Sequence, residues 1–310
     1  MFKKKNPSTV YHVKEPAQLL DFLMTAMNGI SRNKAKLILA GSGVKVNGKP
    51  QTRHDYQLRT GDAVEVSAHK PKATLTNKFV KMEYEDKDIV VIEKNVGILS
   101  MSPKPNIMSV KTVLDNYFRK NRKTYTAHVV HRLDRDTSGL LVYAKTMQAE
   151  QILENNWNEI VTDRRYLALV SGRMEQEQGT VKSWLKDSKS YITYSSPTDN
   201  GGKLAITHYR VLRTNDRYSL VELKLETGRK NQIRVHMQDL GHPVCGDIKY
   251  GNGDDPIGRL ALHAFRLNFY HPILGDHMTF ETPCPKTFLT VFKSQETRDK
   301  SLSTRIMDLI

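Results

Sequence analysis

An α+β fold in two parts is what this sequence predicts, and three observations predict it. The chain has 310 residues, more than one hydrophobic core usually serves. Its first 66 residues combine two short helical stretches with a few short strands. From about residue 80 onward strand signals dominate, interrupted by a few amphipathic helices, which is the pattern of a mixed, mainly antiparallel sheet carrying helices. The expected division is residues 1–66 (core about 17–66), a linker over 67–79, a large unit over 80–293 and a polar tail over 294–310.

The small unit starts from Pro16. Leu19, Leu20, Phe22, Leu23 and Met27 form a wide apolar helical face that Gly29 stops. Ser31 is an N-cap for a second helix, in which Arg32, Lys34 and Lys36 alternate with Ala35, Leu37 and Ile38, and Gly41 and Gly43 end it. Val44-Lys45-Val46 leads into Asn47-Gly48, a strong hairpin signal, and Gly61-Asp62 turns the chain before Ala63 to Val66. Arg32 and Lys36 share a helix face, with Lys34 to the side. Taken alone, that face fits a solvated charged helix.

The stretch 67–79 is rich in Lys, Pro and Thr and reads as a linker. Asp88 to Glu93 is a short strand, and Asn95-Val96-Gly97 a turn. Val110, Val113, Leu114, Tyr117 and Phe118 repeat at helical spacing and predict a helix over 107–120. Residues 127–146 then place a packed polar cluster, His131 to Ser138, between the apolar Val129-Val130 and Leu140 to Ala144. Such a loop between two buried strands fits either a functional site or a capped turn. A helix follows over about 147–160, then strands at 166–170, 180–185, 205–212 and 219–225, the last with Val221, Leu223 and Leu225 in alternation. A helix from Gln232 to Leu240 ends at Gly241, and strands return at 260–270 and 278–280.

Lys and Arg number 48 against 33 Asp and Glu, a net charge of +15. That excess favours a polyanionic partner, nucleic acid first. The two cysteines, Cys245 and Cys284, make neither a disulfide framework nor a zinc site. No apolar run reaches membrane-spanning length, so no membrane association is expected and the predicted location is the cytoplasm. Nucleotide-binding glycine loops, a nucleophile-elbow serine and metal-ligand spacings are absent from the sequence. Three polar groups remain: Asp134 in the central loop, Tyr166 at a strand start and Arg234 at a strand-to-helix corner. A carboxylate, an aromatic ring and a guanidinium suffice to hold and attack a nucleobase. Individually, they read better as a turn former, a core residue and a helix-surface charge.

Two resemblances bear on those alternatives. Ser31 to Lys36, Gly43 to Gly48 and Gly61-Asp62 resemble the S-four-type RNA-binding module. That likeness implies RNA contacts from Arg32, Lys34, Lys36, Lys45 and Asn47. His131-Arg132-Leu133-Asp134-Arg135-Asp136-Thr137-Ser138-Gly139 resembles the signature of the RluA-like pseudouridine synthases. The likeness extends through Arg164 to Val170, Thr227 to His236, Gly241 to Asp247 and Leu260 to Ala264, over about residues 82–290. It implies a pseudouridine synthase fold and isomerisation of uridine to pseudouridine in structured RNA, most of all large-subunit ribosomal RNA, with tRNA as an alternative. It also implies Asp134 as the catalytic carboxylate, Tyr166 stacking on the uracil, Arg234 pairing with Asp134, and Arg132 filling space or binding RNA once the nucleotide flips out. No cofactor or metal is expected, and the protein is expected to act as a monomer. The sequence departs from the family pattern at Asn95, where proline is usual, and at Asn231, where histidine is common.

Overall fold

Alternating and continuous apolar runs dictate a sheet-dominated protein, and the computed structural model builds one. It describes residues 8–40, 44–51, 53–67, 75, 77–104, 106–121, 124–190 and 192–295. Gly41 and Gly43, most of the 67–79 linker and most of the 294–310 tail lie outside the described residues. The chain divides into two compact units, residues 1–75 with 117–123 and residues 76–116 with 124–310.

The first unit holds β1 (Ser8–His12), β2 (Ala17–Gln18), α1 (Leu19–Ala26), α2 (Arg32–Ala40), β3 (Val44–Val46), β4 (Lys49–Pro50), β5 (Gln57–Leu58) and β6 (Ala63–Ser67). Its main sheet runs β1-β6-β3-β4, with β2 and β5 paired separately. The apolar face read from the sequence is its core: Leu19, Leu20 and Leu23 of α1 pack with Ala35, Ile38 and Leu39 of α2 and the valines of β3 and β6. Each buried aliphatic side chain contributes about 1.5–3 kcal/mol. Asn47 and Gly48 make the predicted tight turn, both with positive φ, 51° and 78°.

The chain continues with β7 (Val80–Glu85), β8 (Ile89–Lys94), α3 (Val110–Lys120, its residues from 117 on counted with the first unit), β9 (His128–Val129), β10 (Ser138–Ala144), α4 (Met147–Asn155), α5 (Trp157–Ile160) and β11 (Val161–Ser171). It ends with β12 (Gln178–Asp187), β13 (Thr193–Ser196), β14 (Lys203–Thr214), β15 (Tyr218–Leu225), α6 (Gln232–Asp239), β16 (Leu262–Tyr270), β17 (His277–Glu281) and α7 (Lys286–Leu289), followed by a 3₁₀ turn over Thr290–Gln295. The strands make one sheet in the order β13-β12-β14-β15-β11-β16-β10-β8-β7, with β17 on β16 and β9 on β10. The pairing of β10 with β16 is parallel, and the other described pairings of the sheet are antiparallel.

Three local readings change on folding. The apolar lead-in to the polar loop is only a two-residue, half-buried strand, β9, whereas β10 is buried along its whole length. The helix expected over 147–160 breaks at Asn156 into α4 and α5. The alternation in β15 predicts one buried face, yet Tyr218 through Leu223 are all buried because β14 and β11 flank the strand and both sheet faces are covered. Glu222 is buried with them and neutralised by Arg165 and Arg210 at 3.2 and 3.1 Å.

One glycine is fixed by close approach. Gly139, at the start of β10, has φ +121°, and a Cβ there would lie 2.2 Å from the Ala264 carbonyl oxygen of β16. Its hydrogen side chain lets the polar loop close onto the parallel neighbour.

Candidate active site

Asp134 lies in the loop between β9 and β10, and the residues on both sides of it are tied down through their backbones. Ser100 Oγ donates to the Leu133 carbonyl at 2.8 Å and accepts from the Leu133 N–H at 3.0 Å. The Lys94 ammonium donates to the carbonyls of Arg135, Asn95 and Ile98 at 2.8, 3.0 and 3.0 Å. The Gly97 N–H donates to the same Arg135 carbonyl, and the Thr137 N–H closes a turn onto the Asp134 carbonyl. Ser138 Oγ bonds to His263 Nδ1 at 2.8 Å and accepts from Arg259 Nη2 at 3.0 Å. Fixed at 133, 135 and 137, the chain presents the Asp134 carboxylate with little freedom, which is the pre-organisation catalysis requires.

Arg234 stands in the first turn of α6. Its Nη1 donates to Asp134 Oδ2 at 3.1 Å and to Asn231 Oδ1 at 3.0 Å. Its Nε and Nη2 form a bidentate pair with Asp247 at 2.6 and 2.7 Å. The Asp247 side chain is fully buried, while Arg234 is 14% and Asp134 30% exposed. Burial pushes the Asp247 carboxyl upward, but bonds from Arg234 and from the N–H groups of Tyr250 and Lys249 outweigh it and leave the group below the usual carboxylate range. For Arg234, desolvation disfavours the charge, and Asp247 and Asp134 together more than offset it, raising its pKa. The guanidinium also lies 5.0 Å from the Tyr250 ring centroid.

Tyr166 sits in β11 between β15 and β16, at a bulge in the β16 register between Arg165 and Tyr166. A bulge re-aims the side chain it precedes. Burial raises the Tyr166 phenol pKa, opposed by Arg164 and reinforced by the Asp134 carboxylate, so the ring is neutral at ordinary pH.

Asp134, Tyr166, Arg234 and Arg132 line one open cleft of about 230 Å³, together with Leu225, Ile233, Leu262 and the segment 228–232. Apolar walls with a few convergent polar groups are the form of a binding site for a flat, partly polar ring. Arg132 is exposed at this cleft. His131, its neighbour, accepts the Val142 N–H at 3.0 Å and packs against Trp157, 4.6 Å between ring centroids.

The residues expected to contact RNA from the first unit are disposed differently. Arg32 and Lys36 are exposed on α2, with Arg32 4.0 Å from Asp21. Lys45 is exposed on β3, 3.9 Å from Glu65. The Asn47 amide is engaged within the turn, donating to Asp62 Oδ1 and accepting the Ala63 N–H, both at 2.9 Å. The Lys34 side chain lies outside the described residues.

Sequence reasoning missed Asp247, Lys94 and Ser100 as parts of the site and gave Asn231 no structural role. Asn231 adopts the left-handed conformation, φ 54°, just before α6, and its Nδ2 donates to the Tyr250 hydroxyl at 3.1 Å while Oδ1 receives Arg234. Asparagine tolerates that backbone better than most residues. The signal for Asp247 was Gly246-Asp247 in a turn; no local pattern connects it to Arg234.

The comparisons with known proteins agree with this architecture. Residues 88–239 match the family model for RNA pseudouridylate synthase, and residues 17–72 match that for the S4 domain. An uncharacterized RNA pseudouridine synthase of Bacillus subtilis (strain 168) is 37% identical over 274 residues, spanning 86% of this chain and 96% of that protein. Ribosomal large subunit pseudouridine synthase D of Neisseria meningitidis serogroup A is 32% identical over 295 residues, 88% of this chain and 78% of its own. Among solved structures, human RNA pseudouridylate synthase domain containing 1 is 26% identical and superposes with a TM-score of 0.56, covering 68% of this chain and 85% of that one.

Proposed function

This chain belongs to the RNA pseudouridine synthase family, and we propose that it isomerises uridines of large-subunit ribosomal RNA, with Asp134 as the essential carboxylate. The observation that carries the role of Asp134 is its ion pair with Arg234 at 3.1 Å inside the cleft that Tyr166 also lines. The name of the Neisseria meningitidis relative supports the ribosomal substrate.

A uracil within a stack is out of reach, so it leaves the stack at a cost of a few kcal/mol. Phosphate contacts made by a chain of net charge +15 offset that cost. Arg132, exposed at the cleft, occupies the vacated space or holds the adjacent backbone. The Tyr166 ring supplies the stacking face for the extruded base, and its neutral phenol adds no charge to repel the carboxylate. Arg234 holds Asp134 through one hydrogen bond, while Asp247 takes two of the guanidinium's bonds and Asn231 a further one, so the Asp134 carboxylate is only partly neutralised. Asp134 promotes cleavage of the N-glycosidic bond, the uracil turns, and a carbon–carbon bond from the sugar to C5 replaces the lost bond, with the C5 proton released and a proton taken up at N1. Product and substrate have the same composition, so the reaction draws no electrons from a partner.

In this reading residues 1–66 add RNA affinity, with Arg32, Lys34, Lys36 and Lys45 as phosphate contacts, 67–79 link, and 80–293 carry the chemistry. Asn47 contributes by holding the hairpin turn. Among the described residues no helix is long and apolar enough to cross a membrane, and we place the activity in the cytoplasm with a monomer.

The test is tritium release from RNA labelled at uridine C5, with the wild type and Asp134→Asn. Release by the wild type and none by the variant is the expected result. Release that persists in Asp134→Asn removes that residue from the role. Free uracil among the products would indicate a nucleosidase instead, and no release from ribosomal RNA with release from tRNA would reassign the substrate.

A further inference from the structure

Several cations of the second unit are matched by carboxylates: Lys145 by Glu85, Arg165 by Glu222 and Asp163, Arg234 by Asp247 and Asp134. Arg259 departs from this pattern. Its Nη2 donates to Ser138 Oγ at 3.0 Å and the guanidinium lies 5.2 Å from the Phe288 ring centroid. Its Nε is buried and has no hydrogen-bond partner. Among the described residues no carboxylate pairs with it, and burial alone acts on its pKa, lowering it.

Arg259 faces a second cavity, of about 380 Å³, larger than the cleft around Asp134. Lys94 lines it too, fully buried and bonded only to backbone carbonyls. Asp136 and Asp134 act on that ammonium electrostatically without reaching ion-pair distance. Ser138 and His263 form further lining, and Lys78 and Lys286 bring two more ammonium groups. One carboxylate is present, Glu93, which Lys81 approaches to 3.7 Å. The balance of charge around the cavity is therefore positive, with a buried guanidinium N–H unsatisfied.

A half-buried cation without a counter-ion is costly, and its buried, unmet Nε donor adds to that cost. A phosphate group meets both needs, because its oxygens accept from the planar guanidinium fork and its charge balances the site. We infer that this cavity is a phosphate-binding site anchored by Arg259. The phosphate is either one of the substrate RNA's backbone groups or a free phosphate ion. Either occupant reaches the catalytic loop, since Ser138 ends that loop and Lys94 holds the Arg135 carbonyl next to Asp134. Occupancy would thus tighten the segment that presents the essential carboxylate.

Thermal unfolding and RNA kinetics of the full chain test this independently of the assignment of Asp134. Inorganic phosphate is compared with chloride at matched ionic strength, for the wild type, Arg259→Gln and Arg259→Lys. At ten times its Kd, phosphate should raise the wild-type midpoint by roughly 3–6 °C. Arg259→Gln should lose that shift, and Arg259→Lys should keep part of it. If the occupant is an RNA phosphate, KM for RNA rises about tenfold in Arg259→Gln and inorganic phosphate competes with RNA. If the occupant is free phosphate, KM holds while the thermal shift is lost. Should Arg259→Gln fail to fold, the Lys78→Ala/Lys286→Ala double variant makes the same comparison and should show a reduced shift. Equal phosphate shifts in wild type and variant, or no shift in the wild type, overturn the site.

Discussion

Replacing Asp247 by asparagine separates the holding of Arg234 from the chemistry of Asp134. In the native protein one guanidinium serves two carboxylates, making two short bonds to Asp247 and one of 3.1 Å to Asp134. The local sum over Asp134, Arg234 and Asp247 is one net negative charge. Asp247→Asn keeps the shape and removes the charge from a fully buried position. Breaking a buried pair costs about 3–5 kcal/mol. Arg234 retains Asp134 and is 14% exposed, so the low end, about 3 kcal/mol, is expected. For a unit of this size that is roughly 6–12 °C in unfolding midpoint. Activity falls by a second route: the freed guanidinium turns fully onto Asp134, neutralising the carboxylate and moving it off its line. A misplacement on the order of 1 Å costs about a hundredfold in rate. Differential scanning calorimetry paired with the tritium-release assay checks both numbers. Asp247→Asn with native midpoint and native kcat would refute the shared-guanidinium reasoning. Asp134→Asn is the contrasting case, with activity lost and the midpoint little changed, since Asp134 is 30% exposed and its loop is held by backbone bonds.

Gly139→Ala should prevent stable folding, because its Cβ would lie 2.2 Å from a backbone oxygen at φ +121°; soluble yield and circular dichroism report it, and a folded, active variant contradicts the close approach. Lys94→Met orphans the buried carbonyl of Ile98 and removes the donor to that of Asn95 and should cost about 1–3 kcal/mol, read from urea unfolding. Tyr166→Phe should keep RNA turnover within a few-fold, whereas Tyr166→Ala should raise KM or lower kcat by about tenfold or more, as expected for a stacking contact of about 1–3 kcal/mol. His236 and His263 are buried neutral, held down to about 4 and about 3 by desolvation. Below pH 6.5 the unfolded chain takes up protons that these folded rings refuse, so stability is complete above pH 6.5 and declines as pH falls toward 4, by up to about 1.4 kcal/mol per histidine per pH unit. An unfolding midpoint flat between pH 7 and pH 5 would contradict this.

Local chemistry made much of this protein legible. The polar loop around Asp134 stands out because apolar runs bracket it, and α6 is readable because Ile233 and Met237 repeat at helical spacing and are both buried. The Asn47-Gly48 turn follows from which residues accept positive φ. These are short-range properties, carried by neighbours in the chain. The family resemblance likewise paired Asp134 with Arg234, 100 residues apart, although charge and periodicity alone left Arg234 as a helix-surface cation.

The tertiary structure decided how the carboxylate is held. Asp247 meets Arg234 only because the turn before Tyr250 packs under α6, and Ser100 grips Leu133 across 33 residues of sequence. It also decided that β15 is buried on both faces, which turns Glu222 from a solvent charge into a buried one shared by Arg165 and Arg210. Burial and ion pairing depend on which strands become neighbours in the sheet, and hydrophobic period contains no record of partners so far apart. The sequence by itself, through its charge pattern and its family resemblance, therefore determined where the polar loop lies and singled out Asp134 within it. The packing of distant segments determined that side chain's charge balance and fixed its position.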